Sequence, residues 1–141
     1  MTHLLLDNSA WARLDSPALP QDRAEEIADL IANGNIAVSL PFLIEAGYSA
    51  RDATDYNDLL DDLQRLDRYT LSRAIEDRAL DAQRQLAEHG HHRLPPVDLL
   101  LAALADAYGL GILHYDADFD HILDHTDLTF DSVWLTRRGD L

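Results

Sequence analysis

The sequence has no cysteine and no lysine among its 141 residues. The absence of cysteine excludes disulfide bonds, zinc sites built on thiolates and catalysis by a cysteine nucleophile. The first residues show no basic segment followed by an apolar run of signal-peptide length. No uncharged stretch approaches the roughly 20 residues that span a bilayer. We therefore expect a cytoplasmic protein with no membrane segment.

Positive charge is also scarce. The 11 basic residues are all arginine and face 26 acidic ones, which gives a formal net charge of -15. Proteins that bind nucleic acids usually carry a basic surface, because neutralisation of phosphates supplies most of their affinity. An acidic chain can still act on RNA where bound divalent cations reverse the local charge, so any RNA binding should be weak and Mg²⁺-dependent. The same acidity suits a protein partner rich in arginine or lysine.

Apolar residues, by contrast, are plentiful. They make up 47% of the chain, which is enough for a sizeable core and argues against global disorder. The composition does not change along the sequence, and no linker or repeat interrupts it. We therefore predict one domain over residues 1–141.

Short apolar segments alternate with segments of helical periodicity. Strands are predicted at residues 3–6, 36–38 and 112–113, with further extended pieces near 69–71 and 132–135. Between them lie predicted helices, which cover residues 8–12, 24–31, 41–48, 59–66, 72–86, 97–108 and 119–123. This alternation favours an α/β fold with a parallel sheet covered by helices on both faces.

Four acidic residues occupy positions that favour a functional site. Asp7 and Asp116 follow predicted strands, and ligands of open parallel sheets bind beyond the carboxyl ends of the strands. Glu45 and Asp98 lie early on helices and are flanked by apolar residues. Burying such a carboxylate is costly unless it is paired or bound to metal. Converging carboxylates favour a hard divalent cation such as Mg²⁺ or Mn²⁺.

Each of these acids also has a purely structural interpretation. Asp7 suits the N-cap of the helix that follows it, and Asp116 suits the N-cap of an acidic turn. Asp98 lies in a first helical turn, where the helix dipole stabilises any acid. Glu45, considered by itself, is interpreted as a surface residue. Because acids are so common in this chain, only the combination of all four favours a site.

Four segments resemble the motifs of PIN domains. The opening Leu-Leu-Leu-Asp-Asn-Ser resembles the first strand of that family, and Glu-Ala-Gly-Tyr-Ser resembles the segment with its second acid. Pro-Pro-Val-Asp-Leu-Leu-Leu resembles the helix with the third acid, and Tyr-Asp-Ala-Asp-Phe resembles the fourth motif. The four segments occur in family order and span nearly the whole chain. Their detail is most similar to VapC-type toxins of type II toxin–antitoxin pairs.

This resemblance implies a three-layer α/β/α fold with a parallel sheet of about four to five short strands. It implies a Mg²⁺- or Mn²⁺-dependent endoribonuclease that cleaves RNA needed for translation. It also implies two protein partners, a second copy of the chain and an antitoxin with a cationic tail. The residues that carry over are Asp7, Glu45, Asp98 and Asp116 as catalytic acids, with Asp7, Asp98 and Asp116 as metal ligands, and Ser9 and Asp118 as supporting residues.

Three other functions remain open at this point. The first is a PIN nuclease that processes RNA without an antitoxin. The second is a catalytically silent PIN module, although the presence of all four acids argues against it. The third is an acidic phosphohydrolase that uses Asp116 and Asp118. That chemistry normally places its Asp-x-Asp pair after the first strand, where Ser9 replaces the second acid.

Two arginines and several histidines also lie near these segments. Arg13 and Arg51 follow candidate site segments and are predicted as possible RNA contacts. His89, His91 and His92 surround Gly90, and a histidine-rich tract is able to bind zinc. We interpret this tract instead as a solvated loop after a glycine-capped helix. His114, beside the predicted site, is expected to pack within its strand.

Overall fold

The computed structural model describes residues 3–91 and 93–141, so His92 lies outside the described residues. Five strands are present in that part of the chain: β1 (Leu4–Leu6), β2 (Ile36–Ser39), β3 (Asp67–Tyr69), β4 (Gly111–His114) and β5 (Asp131–Trp134). The helices are α1 (Asn8–Trp11), α2 (Gln21–Ala32), α3 (Leu40–Tyr48), α4 (Ala53–Leu63), α5 (Arg73–Glu88), α6 (Pro96–Tyr108) and α7 (Asp118–His125). Within the described segments, no helix is long and apolar enough to cross a membrane.

The five strands form one parallel sheet in the order β3-β2-β1-β4-β5. In its register, Leu4 of β1 pairs with Ile36 of β2 on one side and with Gly111 of β4 on the other. The chain builds outward from β1 to β3 and then returns to add β4 and β5 on the opposite side. The strand order therefore reverses between β1 and β4, and ligands of such sheets bind at this reversal.

Alternating side chains of β1 define the layers on either side of the sheet. Leu4 and Leu6 face one core, which also contains buried residues of α1, α2, α3 and α4. Leu5 faces the other core, together with the apolar faces of α5, α6 and α7. The period-2 alternation of a strand thus produces two cores from one short segment. This confirms the predicted three-layer α/β/α fold and its sheet of four to five parallel strands.

Helix boundaries follow the capping residues of the sequence closely. The hydroxyls of Ser39 and Ser72 accept hydrogen bonds from the first turns of α3 and α5. Gly109 ends α6 in the left-handed conformation. The helix predicted to continue to Leu66 ends earlier, at Leu63, although Leu66 still packs against the same core. Leu66 fits the helical spacing because it packs against the same core as the helix, although it lies beyond the end of the helix.

Gly111 lets β4 pack closely between β1 and β5. A Cβ atom at this position would lie 2.6 Å from Leu4 Cδ2 and 3.2 Å from the backbone oxygen of Asp131. We expect Gly111→Ala to lower the free energy of unfolding by about 1–3 kcal/mol, because a packed core tolerates added atoms poorly. Urea unfolding of the two proteins measures this difference.

Gly34 provides the control for this substitution. It has a left-handed φ of 73°, and nothing lies within 4 Å of a Cβ added there. Gly34→Ala should therefore cost only about 1 kcal/mol, which is the conformational penalty of the left-handed region. A Gly111→Ala protein that is no less stable than the wild type would contradict the steric argument.

Candidate active site

The reversal of strand order brings the predicted acids to one edge of the sheet. Asp7 directly follows β1, and Asp116 lies two residues beyond the neighbouring strand β4. Glu45 lies on α3, which begins at the carboxyl end of β2. Asp98 lies in the first turn of α6, the helix that leads back into β4. Four separate segments of the chain therefore place a carboxylate near the same point.

The tightest group within this site is a carboxylate triplet. Oxygen atoms of Asp98, Asp116 and Asp118 all lie within 4.8 Å of one another. Asp7 is not part of the triplet, but its charge adds to the effect of burial in raising the pKa values of Asp98 and Glu45. The structure thus brings the four predicted acids together and adds Asp118, which the sequence predicted only as a supporting residue.

Burial and mutual repulsion both act on these acids. Asp98 is only 5% exposed, and burial raises its pKa to about 8, with further contributions from the charges of its acidic neighbours. Burial also raises the pKa values of Asp7, Glu45 and Asp118. In the absence of a cation, Asp98 is therefore expected to retain its proton at neutral pH.

Two buried oxygen atoms test whether a metal ion fits this site. Asp7 Oδ1 and Asp98 Oδ2 are inaccessible to solvent and have no hydrogen-bond partner within the described part of the chain. Buried polar atoms without partners are costly, so native structures seldom retain them. Both atoms are carboxylate oxygens, which are the ligands that Mg²⁺ and Mn²⁺ prefer. The donor set of this site therefore fits a hard divalent cation.

Ser9 connects the carboxyl ends of the neighbouring strands β1 and β4 at this edge. Asp7 Oδ2 accepts hydrogen bonds from both the backbone N–H (3.0 Å) and the hydroxyl of Ser9. The Ser9 hydroxyl oxygen in turn accepts a hydrogen bond from the backbone N–H of Tyr115 at 2.9 Å. Asp7 is thus the N-cap of α1, as its structural interpretation proposed, while its other oxygen, Oδ1, is buried without a partner among the described residues. The two interpretations of Asp7 are compatible.

Removal of the Ser9 hydroxyl should weaken metal binding without unfolding the protein. We expect Ser9→Ala to lower the affinity for Mg²⁺ by about 10–100-fold, because groups that orient metal ligands typically contribute that much. Ser9→Thr retains the hydroxyl and should bind Mg²⁺ nearly as tightly as the wild type. Isothermal titration at one pH compares the three proteins. Equal affinities for the alanine and wild-type proteins would contradict a role for the hydroxyl.

A buried histidine fixes the turn that carries the fourth acid. His114 is fully buried, and this burial lowers its pKa to about 4. Its Nδ1 accepts a hydrogen bond from the backbone N–H of Asp116 at 3.1 Å, so the ring proton lies on Nε2. Nε2 donates to the hydroxyl of Ser132 at 2.7 Å, and that hydroxyl donates to Asp120 at 2.6 Å.

This chain of hydrogen bonds connects β4, β5 and α7. Trp134 completes it by donating its indole N–H to the second oxygen of Asp120 at 3.0 Å. The sequence predicted that His114 packs within its strand, and its complete burial agrees with that prediction. Its hydrogen bond to the backbone of Asp116 was missed. Only the His-x-Asp spacing hints at this bond, because Ser132 and Trp134 are too distant in sequence to be recognised as partners.

The two predicted RNA contacts lie in different surroundings. Arg13 lies beside the acidic site, where its guanidinium donates to the backbone oxygen of Ser9 at 2.8 Å and sits 5.1 Å from the ring centre of Tyr115. Arg51 is exposed and forms an ion pair with Asp55 at 3.5 Å. Of the two, Arg13 is joined by direct contacts to residues of the site.

Comparison with known proteins identifies the family. Residues 4–123 match the PIN domain. Ribonuclease VapC51 of Mycobacterium tuberculosis is 37% identical over 118 residues, which cover 84% of this chain and 83% of that protein. Ribonuclease VapC18 of the same organism is 34% identical over 139 residues, or 96% of this chain and 97% of that protein.

Solved structures agree with this match at the level of the fold. A VapBC2 complex from Rickettsia felis, bound to a DNA fragment from its promoter, has a TM-score of 0.71 at 18% identity. It covers 93% of this chain and 98% of the matched one. A DNA-bound VapBC from Salmonella typhimurium also has a TM-score of 0.71, at 17% identity, and covers 96% and 100% of the two chains. The resemblance found in the sequence is confirmed, and the chain belongs to the PIN-domain family, within which it groups with the VapC ribonucleases.

Proposed function

We propose that this protein is a divalent-metal-dependent endoribonuclease and the toxin of a toxin–antitoxin pair. The observation that carries the proposal is the convergence of five carboxylates from four segments, with two buried oxygen atoms that lack partners. Relatives named as VapC ribonucleases and structural neighbours that are VapBC complexes support the same function. Because its substrate is RNA needed for translation, we place its action in the cytoplasm.

The site's own residues have distinct roles in this mechanism. Asp98, Asp116 and Asp118 would hold Mg²⁺ or Mn²⁺, with Asp7 as a further ligand through its unpartnered oxygen. When bound, such a cation lowers the pKa of water and neutralises charge on the scissile phosphate. Glu45, which is half-buried at the margin of the site, is the candidate to accept a proton from the attacking water.

Cleavage of RNA by the purified protein tests this proposal. The wild type should cut single-stranded or structured RNA with Mg²⁺ or Mn²⁺ present, and a chelator should stop the reaction. Asp116→Asn should be inactive, whereas Asp58→Asn makes the same charge change on the exposed surface of α4 and should remain active. A wild-type protein that binds its partner but cuts no RNA would instead be a silent PIN module.

The proposed antitoxin should insert a cationic segment into the acidic site. A net charge of -15 and buried acids such as Asp7 and Asp98 favour arginine or lysine there, in competition with the metal. Because exposed ion pairs contribute little, most of the affinity should come from an apolar helix in a groove. We therefore expect inhibition to persist at 0.5 M salt, as measured by cleavage assays with the copurified complex.

Co-expression provides the control for this prediction. The small protein encoded beside this chain should copurify with it and relieve the growth arrest that it causes. If the neighbour does neither while the chain still cleaves RNA, the protein is a PIN nuclease for RNA processing without an antitoxin.

We further propose that a second copy of the chain covers an apolar groove between α3 and α6. The groove has a volume of about 570 Å³ and lies next to Glu45, and its rim includes Ile44 (63% exposed) and Tyr48 (92% exposed). Apolar side chains so exposed on neighbouring turns are typical of an interface. Sedimentation equilibrium should give twice the monomer mass, and Ile44→Asp should give a monomer.

A further inference from the structure

Four imidazole side chains form a cluster outside the acidic triplet. His121 and His125 lie one turn apart on α7, and His89 and His91 follow the end of α5. Ring centres lie 4.5 Å apart for His91 and His125, 6.1 Å for His91 and His121, and 6.4 Å for His121 and His125. His89 adds a fourth ring, 5.4 Å from His125. The sequence predicted only a solvated loop here, because the histidines of α7 are about 30 residues away.

The backbone at the end of α5 holds His91 in position. The N–H of His91 donates to the carbonyl of Leu86 at 2.8 Å, and the N–H of Gly90 donates to that of Ala87 at 3.1 Å. Gly90 has a left-handed φ of 77°. These features define a Schellman motif, which fixes the two residues after a helix. His91 therefore leaves the helix in a defined direction although its side chain is exposed.

A second set of contacts holds the segment that directly follows α7 against α5. The side-chain amide of Gln85 donates to Asp127 Oδ1 at 3.0 Å, and the backbone N–H of Asp127 donates back to Gln85 Oε1 at 2.8 Å. Ile122, on the same helix as the two histidines, is fully buried in the core that α5 and α6 share. The two pairs of histidines are therefore kept adjacent by the fold and not by their own contacts.

We propose that His91, His121 and His125 bind a borderline divalent transition metal ion of the Zn²⁺ class, with His89 within reach as a fourth ligand. Imidazole nitrogens suit Zn²⁺, Ni²⁺ and Cu²⁺, whereas the carboxylates of the active site suit Mg²⁺ and Mn²⁺. Three imidazoles bound to one tetrahedral Zn²⁺, with Zn–N distances near 2 Å, have ring centres about 5 Å apart. The observed separations of 4.5–6.4 Å bracket that value.

Binding requires the side chains to rotate but leaves the backbone in place. The three rings are nearly parallel, with interplanar angles of 9–22°, so their nitrogens do not yet point at one centre. His91 and His121 are exposed, and exposed side chains change rotamer readily. His121 and His125, four residues apart, already lie on the same face of α7. The bound ion would connect α7, which carries Asp118, to the end of α5.

Zinc titration of the untagged protein tests this proposal, with a chromophoric chelator as competitor. The wild type should bind Zn²⁺ at the cluster with micromolar or tighter affinity, and its melting temperature should rise. The variant His121→Gln/His125→Gln should bind Zn²⁺ at least tenfold more weakly. The ring of His3 contacts Tyr69 elsewhere in the fold, so the variant His3→Gln should bind Zn²⁺ like the wild type. Asp98→Asn/Asp116→Asn should also retain Zn²⁺ binding at the cluster.

Two outcomes would overturn the proposal. Equal zinc affinity in the wild type and the double-histidine variant would mean that the cluster holds no metal. Zinc binding lost only in the double-aspartate variant would assign the ion to the acidic site. If the double-histidine variant fails to fold, His91→Gln replaces it, because the backbone bonds of His91 do not depend on its ring. Since binding is measured directly, the result is independent of whether the protein cleaves RNA.

Discussion

Asp98→Asn is expected to reduce RNA cleavage by about 10³-fold or more, because it removes one carboxylate of the triplet that is proposed to hold the metal ion. The same substitution should stabilise the metal-free protein at pH 8, on the order of 1–2 kcal/mol. Asparagine has nearly the shape of aspartate but cannot ionise, so it avoids first the cost of burying a charge and then the repulsion from the other acids that surround Asp98. Loss of activity combined with a gain in stability distinguishes a functional acid from a structural one.

Cleavage assays with Mg²⁺, together with urea unfolding in a chelator, measure the two effects on the same preparations. Asp58→Asn, which changes an exposed acid of α4, is the matched control and should alter neither quantity by much. A strongly destabilised Asp98→Asn protein would mean that Asp98 serves mainly to stabilise the start of α6. An active Asp98→Asn protein would exclude it from the site.

Much of the fold was predictable because local signals and burial agreed. The run from Leu4 to Leu6 is apolar and ends on Asp7, and the structure has a buried strand with an acid at its end. Pro41 and Gly109 mark the start of α3 and the end of α6, where the structure places them. The first strand and these helix ends depend on residues that are adjacent in the chain, so local sequence patterns predict them.

The candidate site was predictable only as a set of separate positions. Four acids followed strands or lay early on helices, and the family resemblance grouped them. Their distances depend on the strand order, which reverses between β1 and β4 and which local patterns do not encode. For the same reason, the position of Asp118 within the triplet could not be assigned from the sequence.

Long-range hydrogen bonds were the least predictable part of the site. His114 reaches Asp120 through Ser132, a residue of the neighbouring strand. The bridge from Ser9 to Tyr115 likewise joins residues 106 positions apart. Such contacts arise only after the strands have paired, so composition and periodicity contain no signal for them.

The stability of the metal-free protein should fall as the pH rises from 6.5 to 8. In the folded protein Asp98 retains its proton up to a pKa of about 8, whereas in the unfolded chain it ionises near 3.8. Between these values the folded state binds a proton that the unfolded state has released, so each increase in pH favours unfolding. The stabilisation is complete below pH 3.8 and is lost as the pH rises towards 8. Burial raises the pKa values of Asp7, Glu45 and Asp118 in the same direction.

His114 restricts the window in which this effect is visible. Burial lowers its pKa from 6.5 to about 4, so between these values the unfolded state binds the extra proton and stability rises with pH. The two effects oppose each other below pH 6.5, and only that of Asp98 continues above it. Across pH 6.5–8 the wild type should lose up to about 2 kcal/mol in a chelator, as measured by urea unfolding.

Asp98→Asn and Mg²⁺ should each abolish this loss of stability. The asparagine protein has no proton to release at this position, so its stability should change little between pH 6.5 and 8. Mg²⁺ competes with the proton on Asp98, so the affinity of the wild type for Mg²⁺ should increase with pH, by up to about tenfold per pH unit. Exposed groups that titrate in this range are common to both proteins and cancel in the comparison. If the two proteins lose stability equally between pH 6.5 and 8, Asp98 does not hold a proton in the metal-free site.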